Sequence, residues 1–402
     1  MNLLWVNHFA VSPREGGGTR HFELGRELTR RGWGVTIAAS DLNLHTRSYT
    51  RRASVLERGA VPETVDGVDF RWMWTAPYQR NDWRRVANWL SFGQSLLADG
   101  GGGRRPDLVI GSSPQPFAAW AGARLARRLR VPFVLEVRDL WPEGLQAAGA
   151  RKGPGYFAFH LLVQRLYARA ERIVVLARGV EKYLVERGVD PAKMVYVPNG
   201  VDPDSFADIR RPERATFTAI YAGAHGPANG LDAVLGAAEL LRDRAEIRFL
   251  LVGDGPAKAE LVRSAAERRL GNVEFRDSVA KSAMPALLGE ADAGLMVLRD
   301  SPLYAFGVSP NKLFDYLGAG LPVVCNVPGD VAEMARVSGA GVQAADASAA
   351  ALAGAVVSLA AESHAGRARR GELGRAWVAR EHGRAPLAER LDAALRPLLA
   401  AR

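Results

Sequence analysis

Apolar and polar positions alternate in blocks along the whole chain. Short apolar runs at 3–6, 35–39, 68–72, 108–110, 133–137, 173–176 and 195–197 read as buried strands. Between them, apolar residues recur at helical spacing near 19–31, 83–98, 116–129, 155–170 and 179–187. The series then restarts with strands at 218–221, 248–252, 273–275, 293–297 and 322–325 and helices between them. This alternation predicts an α/β chain of parallel sheets covered on both faces by helices. Two series predict two doubly wound domains, each binding its ligand at the carboxyl ends of its strands. The expected boundaries are a first domain over 1–202, a connection over 203–214 broken by two prolines, and a second domain over 215–375. A C-terminal helix over 376–402, striped by Leu387, Leu391, Leu395 and Leu398, is expected to pack back on the first domain.

At 402 residues, 48% hydrophobic and 24% charged, the composition is that of a soluble globular chain of two domains. No apolar run reaches the roughly 18 residues of a membrane span. The first residues form a strand with no basic leader, and the single cysteine, Cys325, excludes an internal disulfide and any multi-cysteine metal site. A cytoplasmic location is expected. Charge changes the picture more. Residues 1–200 carry 29 basic and 18 acidic side chains, and residues 201–402 carry 24 and 25. A basic half beside a neutral one suits an anionic partner: phosphate, acidic lipid headgroups or nucleic acid. Only 6 of the 53 basic residues are lysine, an arginine bias that fits GC-rich bacterial coding and leaves many arginines as solvated surface.

Chemistry concentrates in residues 307–325. Ser309 is a good N-cap and Pro310 suits the first helical position. Lys312 and Asp315 then share a helix face, and Gly320 can end the helix. A lysine near a helix N-terminus can hold phosphate, and a carboxylate one turn later can hold sugar hydroxyls; the same pattern also serves an ordinary helix. Gly16, Gly17 and Gly18, followed by Thr19 and Arg20, open the first helix and permit close approach of an anion. Their spacing is not the dinucleotide fingerprint, which disfavours hydride transfer. Arg138, Asp139 and Glu143 follow a buried strand, either as ligand contacts or as a local pair that shapes the turn. His225 lies in a glycine-rich loop after the first strand of the second series. The Asn-Gly turn at 199–200 reads as structural. Residues 83–92 place two tryptophans beside Arg84 and Arg85, which suits a membrane interface or a phosphate-bearing acceptor, and equally a core face. No helix or zinc motif supports nucleic-acid binding.

These motifs together resemble the retaining glycosyltransferases of family 4. The matching stretches are the glycine loop at 16–20, Val-Arg-Asp-Leu-Trp-Pro-Glu at 137–143, 197–202, 223–230, Val-Gly-Asp-Gly-Pro at 252–256 and 307–322. The resemblance is strongest to the branch that adds N-acetylated amino sugars during cell-envelope polysaccharide assembly. It implies a GT-B fold of two Rossmann-like domains facing across a cleft, and a UDP-sugar donor such as UDP-GlcNAc. It further implies transfer to a lipid-linked, saccharide or natural-product hydroxyl, with no cofactor and no metal. Asp315 would bind the donor ribose. Ser309, Asn311, Lys312 and Asn229 would lie at the diphosphate and sugar, Gly16–Gly18 would cover the diphosphate, and Arg276, Ser278 and Val279 would line the base. Thr19, Arg20, Asp139, Glu143 and Arg84 are the acceptor-side candidates. Gly307 stands where many relatives carry an acid, and Ala224 and Asn229 stand where many carry arginine and lysine. Lys312, His225 and Arg138 are therefore the catalytic candidates that replace that charge. A nucleotide-sugar epimerase or hydrolase and a non-catalytic sugar-nucleotide-binding protein are the alternatives. Peripheral contact of the basic half with the inner membrane face is compatible with this reading.

Overall fold

The computed structural model describes residues 1–400 except 16, 45, 81, 145–151, 302, 303 and 305. The chain forms two compact units, one of residues 1–198 with 384–402 and one of residues 199–383.

In the first unit the order is β1 (Asn2–Val6), α1 (Arg20–Arg30), β2 (Gly34–Ser40), β3 (Val61–Val65), β4 (Val68–Met73) and α2 (Trp83–Asp99). It continues with β5 (Leu108–Ser112), α3 (Pro116–Leu129), β6 (Phe133–Val137), α4 (Pro154–Arg169), β7 (Arg172–Val175), α5 (Arg178–Val185) and β8 (Met194–Tyr196). The eight strands form one sheet in the order β3-β4-β2-β1-β5-β6-β7-β8. Every neighbouring pair is parallel except β3 and β4. Strands β5 and β6 are buried along their whole length, which is why apolar residues occupy both faces, with Ser112 and Glu136 near their carboxyl ends as the polar exceptions. The antiparallel strand β3 carries Pro62, which an edge position tolerates because no ladder hydrogen bond is needed from it there.

The second unit runs through β9 (Phe217–Ala222), α6 (Leu231–Leu240), β10 (Ile247–Val252), α7 (Lys258–Glu267), β11 (Val273–Arg276), α8 (Met284–Gly289) and β12 (Ala293–Met296). It closes with α9 (Asn311–Gly318), β13 (Val323–Cys325), α10 (Asp330–Val337), β14 (Gly341–Gln343), α11 (Ala349–Ala360) and α12 (His364–His382). Its six strands are all parallel, in the order β11-β10-β9-β12-β13-β14, with one hydrophobic core on each face.

Two expected boundaries are corrected. The stretch 203–214 is not a free connection but part of the second unit. Phe206 is buried in one of that unit's cores, and Arg211 donates to the carbonyls of Ala291, Leu288 and Gly320 at 3.0, 3.1 and 3.3 Å. Proline content suggested a linker; burial of one aromatic and full use of one guanidinium anchor it instead. The C-terminal helical segment is also two helices, broken at Gly383, whose backbone is extended. Helix α12 stays with the second unit, and α13 (Arg384–Ala400) belongs to the first. There Leu387, Leu391 and Leu395 are fully buried in the same cluster as Leu3, Trp5 and Phe70. At roughly 1.5–3 kcal/mol per buried side chain, this stripe is a substantial part of that core. Trp33 Nε1 donates to Asp392 Oδ1 at 2.7 Å, and Arg384 pairs with Glu23.

Candidate active site

In the second unit the site begins where β9 and β10 end. Two strand-to-helix turns, after Ala222 and after Val252, lie side by side and share backbone hydrogen bonds. Gly223 N donates to Val252 O at 3.0 Å, His225 N to Asp254 O at 2.9 Å, and Ala257 N to His225 O at 2.9 Å. The approach is so close that a Cβ on Gly253 would lie 1.9 Å from Gly223 O, and one on Gly255 would lie 2.5 Å from His225 O. Only glycine fits at either place.

Above these turns sits the first turn of α9. Lys312 Nζ donates to Tyr221 Oη at 2.8 Å and to Asn229 Oδ1 at 3.2 Å, and lies 4.1 Å from the centre of the Tyr221 ring. Burial lowers its pKa from 10.5 to about 7. Among the described residues no carboxylate pairs with it. Such a cation is poised for an anion that arrives from outside. Asn229, expected on the diphosphate, serves here to orient Lys312. Asp315 lies one turn further along α9, half-buried, and Asn311 is exposed at its start.

Several expected roles change. Ser309 is not the N-cap of α9; that position is Pro310, which has no capping side chain. Ser309 Oγ instead accepts from Asn199 N at 2.8 Å, and Asn199 Nδ2 donates to Ser309 O at 2.5 Å. The Asn-Gly turn thereby fixes the approach to α9. His225 is fully buried, packed near Tyr221 and edge-on to Phe275, and neither ring nitrogen has a protein partner among the described residues. Burial lowers its pKa. Its side chain has no solvent-exposed surface, unlike the loop position expected from the sequence. The Arg276 guanidinium is held by Glu274 and Glu290, both at 2.7 Å, so it is not free to line a base. Its carbonyl accepts from Gly253 N at 3.1 Å. Ser278 and Val279 are exposed beside it, and Ser278 N donates to Asp254 Oδ2 at 3.0 Å.

In the first unit, Gly17 and Gly18 are exposed in the loop before α1, and Gly16 lies outside the described residues. Thr19 and Arg20 are buried and do not belong to an acceptor surface. Thr19 Oγ1 donates to Glu23, and Arg20 donates to Glu136 at 3.0 Å, to Val197 O at 2.6 Å and to Pro198 O. Glu136 sits at the centre of a buried polar cluster, 2.9 Å from His21 Nε2 and accepting from Ser112 Oγ at 2.5 Å. Burial alone would raise the Glu136 pKa, but His21 and Arg20 hold it well below the usual carboxylate range. Burial pushes His21 down to about 4, so it is neutral near pH 7. Arg138 emerges half-buried at the end of β6, its Nη1 3.4 Å from His21 Nε2, with Asp139 exposed next to it. Glu143 pairs with Arg187 at 3.4 Å, which supports its role in the turn. Arg84 is exposed on α2 against the Trp83 ring.

Of the candidates, the fold brings together Lys312 and Asn229 beside Gly223, Gly253 and Gly255, with Asp315 on the same helix; in the other unit it brings Arg138 and Asp139 to one strand end. Tyr221 and the Glu136 cluster were absent from the sequence reading. Tyr221 looks like one more core residue of an apolar strand, and Glu136 carries no motif of its own.

Two family descriptions match the chain: a glycosyl transferase 4-like domain over residues 15–200 and glycosyl transferases group 1 over residues 216–362. Among curated relatives, the putative colanic acid biosynthesis glycosyl transferase WcaI of Escherichia coli K12 is 29% identical over 232 residues, 54% of this chain and 56% of the relative. The chain thus spans little more than half the length of that relative. Among solved structures, the sucrose-phosphate synthase of Thermosynechococcus elongatus superposes with a TM-score of 0.76 at 17% identity, over 100% of both chains. Anabaena HepE in complex with UDP-glucose does so with a TM-score of 0.69 at 13% identity, over 99% of this chain and 100% of HepE. At such identities the structural likeness speaks for the fold. Taken with the two matched domains, it places the chain in the GT-B glycosyltransferases of the family 4 type.

Proposed function

We propose that this protein transfers a sugar from a UDP-sugar donor to an acceptor hydroxyl with retention of anomeric configuration. The donor sugar is an N-acetylhexosamine, and the acceptor is a lipid-linked saccharide. The observation that carries the reading is Lys312: a half-buried ammonium that donates to two neutral oxygens, with no carboxylate partner among the described residues, beside the paired strand-to-helix turns after β9 and β10. Family membership supports the reaction, and the UDP-glucose bound to HepE supports the nucleotide.

In the proposed step the bond from the anomeric carbon to the diphosphate oxygen breaks, and its electron pair leaves with UDP. The acceptor oxygen attacks from the same face, and its proton passes to the departing diphosphate oxygen. Lys312 offsets the negative charge that grows on the leaving group. Asp315 holds the ribose. Arg138, standing on the buried His21–Glu136 cluster, orients the acceptor.

A panel of UDP-sugars screened by thermal shift, followed by UDP release with and without saccharide acceptors, tests the proposal. Acceptor-dependent release that is strongest with UDP-GlcNAc is the expected result. Release that needs no acceptor favours a hydrolase or epimerase, and tight binding without turnover favours a binding protein.

A further inference from the structure

The outer face of the first unit carries a second feature, away from the polar cluster around Glu136. Helices α3 and α4 follow successive parallel strands, β5 and β6, and pack against each other on one face of the sheet, so they run in the same direction. Between them lies a groove of about 600 Å³ walled by Arg124, Arg127, Arg128, Arg165 and Arg169, with Trp120 at its side. Among the described residues no acidic side chain lines it. All five arginines are exposed, and among the described residues none forms an ion pair with a carboxylate. Arginines elsewhere on this chain are commonly paired, as Arg51 is with Glu15 and Glu63.

Both helices change character along their length. On α3, Trp120 precedes Arg124 and Arg127 at spacings of four and seven. On α4, Phe157 and Leu161 precede Arg165 and Arg169 at spacings of four. The early positions are exposed although apolar: Trp120 by 38%, Phe157 by 62% and Leu161 by 50%. Helix α2 on the same face adds Trp83, exposed by 71%, and Leu90, by 44%. Helix N-termini lie at the carboxyl edge of the strands, the edge from which Arg138 and Asp139 emerge. The apolar rim therefore borders the acceptor end, and the arginine groove lies behind it.

We propose that this face docks on an anionic phospholipid bilayer, with the arginines on lipid phosphates and the exposed aromatic and aliphatic side chains at the headgroup boundary. Arginine forks suit phosphate oxygens, and amphipathic aromatics suit the interface. A soluble polyphosphate would explain the arginines but not the apolar rim beside them. The surface deepens the lipid-linked reading of the acceptor, and its test reads binding rather than turnover, so either can fail alone.

The test is sedimentation of the full chain with phosphatidylglycerol-containing vesicles and with pure phosphatidylcholine vesicles. Expected are binding to the anionic vesicles alone, weakening in high salt, and a loss of about tenfold or more in Arg165→Glu/Arg169→Glu. Arg124→Gln/Arg127→Gln is a milder second variant. Arg244→Glu/Arg263→Glu, two exposed sites in the second unit, should bind as the parent does. Equal binding to both vesicle types overturns the proposal, as does anionic binding that the groove variants leave unchanged. So does a groove that binds inorganic pyrophosphate while the protein ignores vesicles.

Discussion

Lys312 allows a titration to test the proposed donor site. Burial takes this amine from 10.5 to about 7, and its partners, Tyr221 Oη and Asn229 Oδ1, are neutral. A diphosphate brought against it restores the charged form, so nucleotide binding is coupled to proton uptake. At about pH 8 the free protein carries this proton on roughly a tenth of its molecules, and the UDP complex carries it on nearly all. Binding then takes up about 0.9 proton, and affinity falls by about tenfold for each pH unit above 7. The terminal phosphate of UDP, with a second pKa of about 6, is already ionised in that range and adds nothing to the slope. Calorimetric titration with UDP between about pH 7 and 9, in buffers of different ionisation enthalpy, measures both quantities. Lys312→Met should bind weakly at every pH and take up no proton. A wild-type affinity that is flat over that interval, without proton uptake, would separate Lys312 from the diphosphate and remove the main support for the donor site. The sign for folding runs the other way from that of the complex. Without nucleotide, the unfolded chain binds more protons between about 7 and 10.5, so this lysine makes the protein more stable as pH rises through that window.

Other expectations follow from named contacts. Turnover of Lys312→Ala with a defined donor should fall by the equivalent of roughly 2–4 kcal/mol; near-normal turnover excludes the proposed charge role. Glu136→Gln should cost about 3–5 kcal/mol in urea unfolding, because Arg20 keeps its buried charge without a carboxylate to oppose it; a loss below 1 kcal/mol would show that the cluster tolerates an uncharged partner. His21 and His8 are held at about 4 and about 3 by burial, so the unfolded chain gains protons first as pH drops below 6.5. Each should remove up to about 2 kcal/mol of stability by pH 5, and a flat profile from 6.5 to 5 refutes this. Gly255→Ala should abolish UDP binding while the far-ultraviolet spectrum persists, since its Cβ collides only with the His225 backbone in the paired turns. Wild-type affinity in that variant would disprove the requirement for close approach.

The doubly wound architecture was legible because buried parallel strands are largely apolar on both faces, and the spacing between them admits a helix each time. Strand β3 was not, because Pro62, Glu63 and Thr64 break the apolar pattern; an edge strand needs neither a full ladder nor two buried faces. Residues 203–214 showed their prolines but hid the anchoring by Phe206 and Arg211, which depends on distant carbonyls. In the site, Lys312 stood out from its place on the helix and from family motifs. What surrounds it did not: Tyr221 reads as core, and the capping expected of Ser309 was lost to Asn199, more than a hundred residues earlier. His225 looked available in a glycine loop, yet paired turns bury loops that seem open in sequence.

Helix α13 has a consequence in time. The core of the first unit includes Leu387, Leu391 and Leu395, which are synthesised after the whole of the second unit. On the ribosome the contiguous unit of residues 199–383 can complete its contacts first, while the face over α1 waits with Leu24, Leu28 and Trp33 short of their last partner. A nascent chain stopped shortly before its end would thus hold a finished second unit and a sticky, unfinished first unit. Quality control by chaperones would meet the protein at its amino terminus, even though the missing residues belong to its carboxyl terminus.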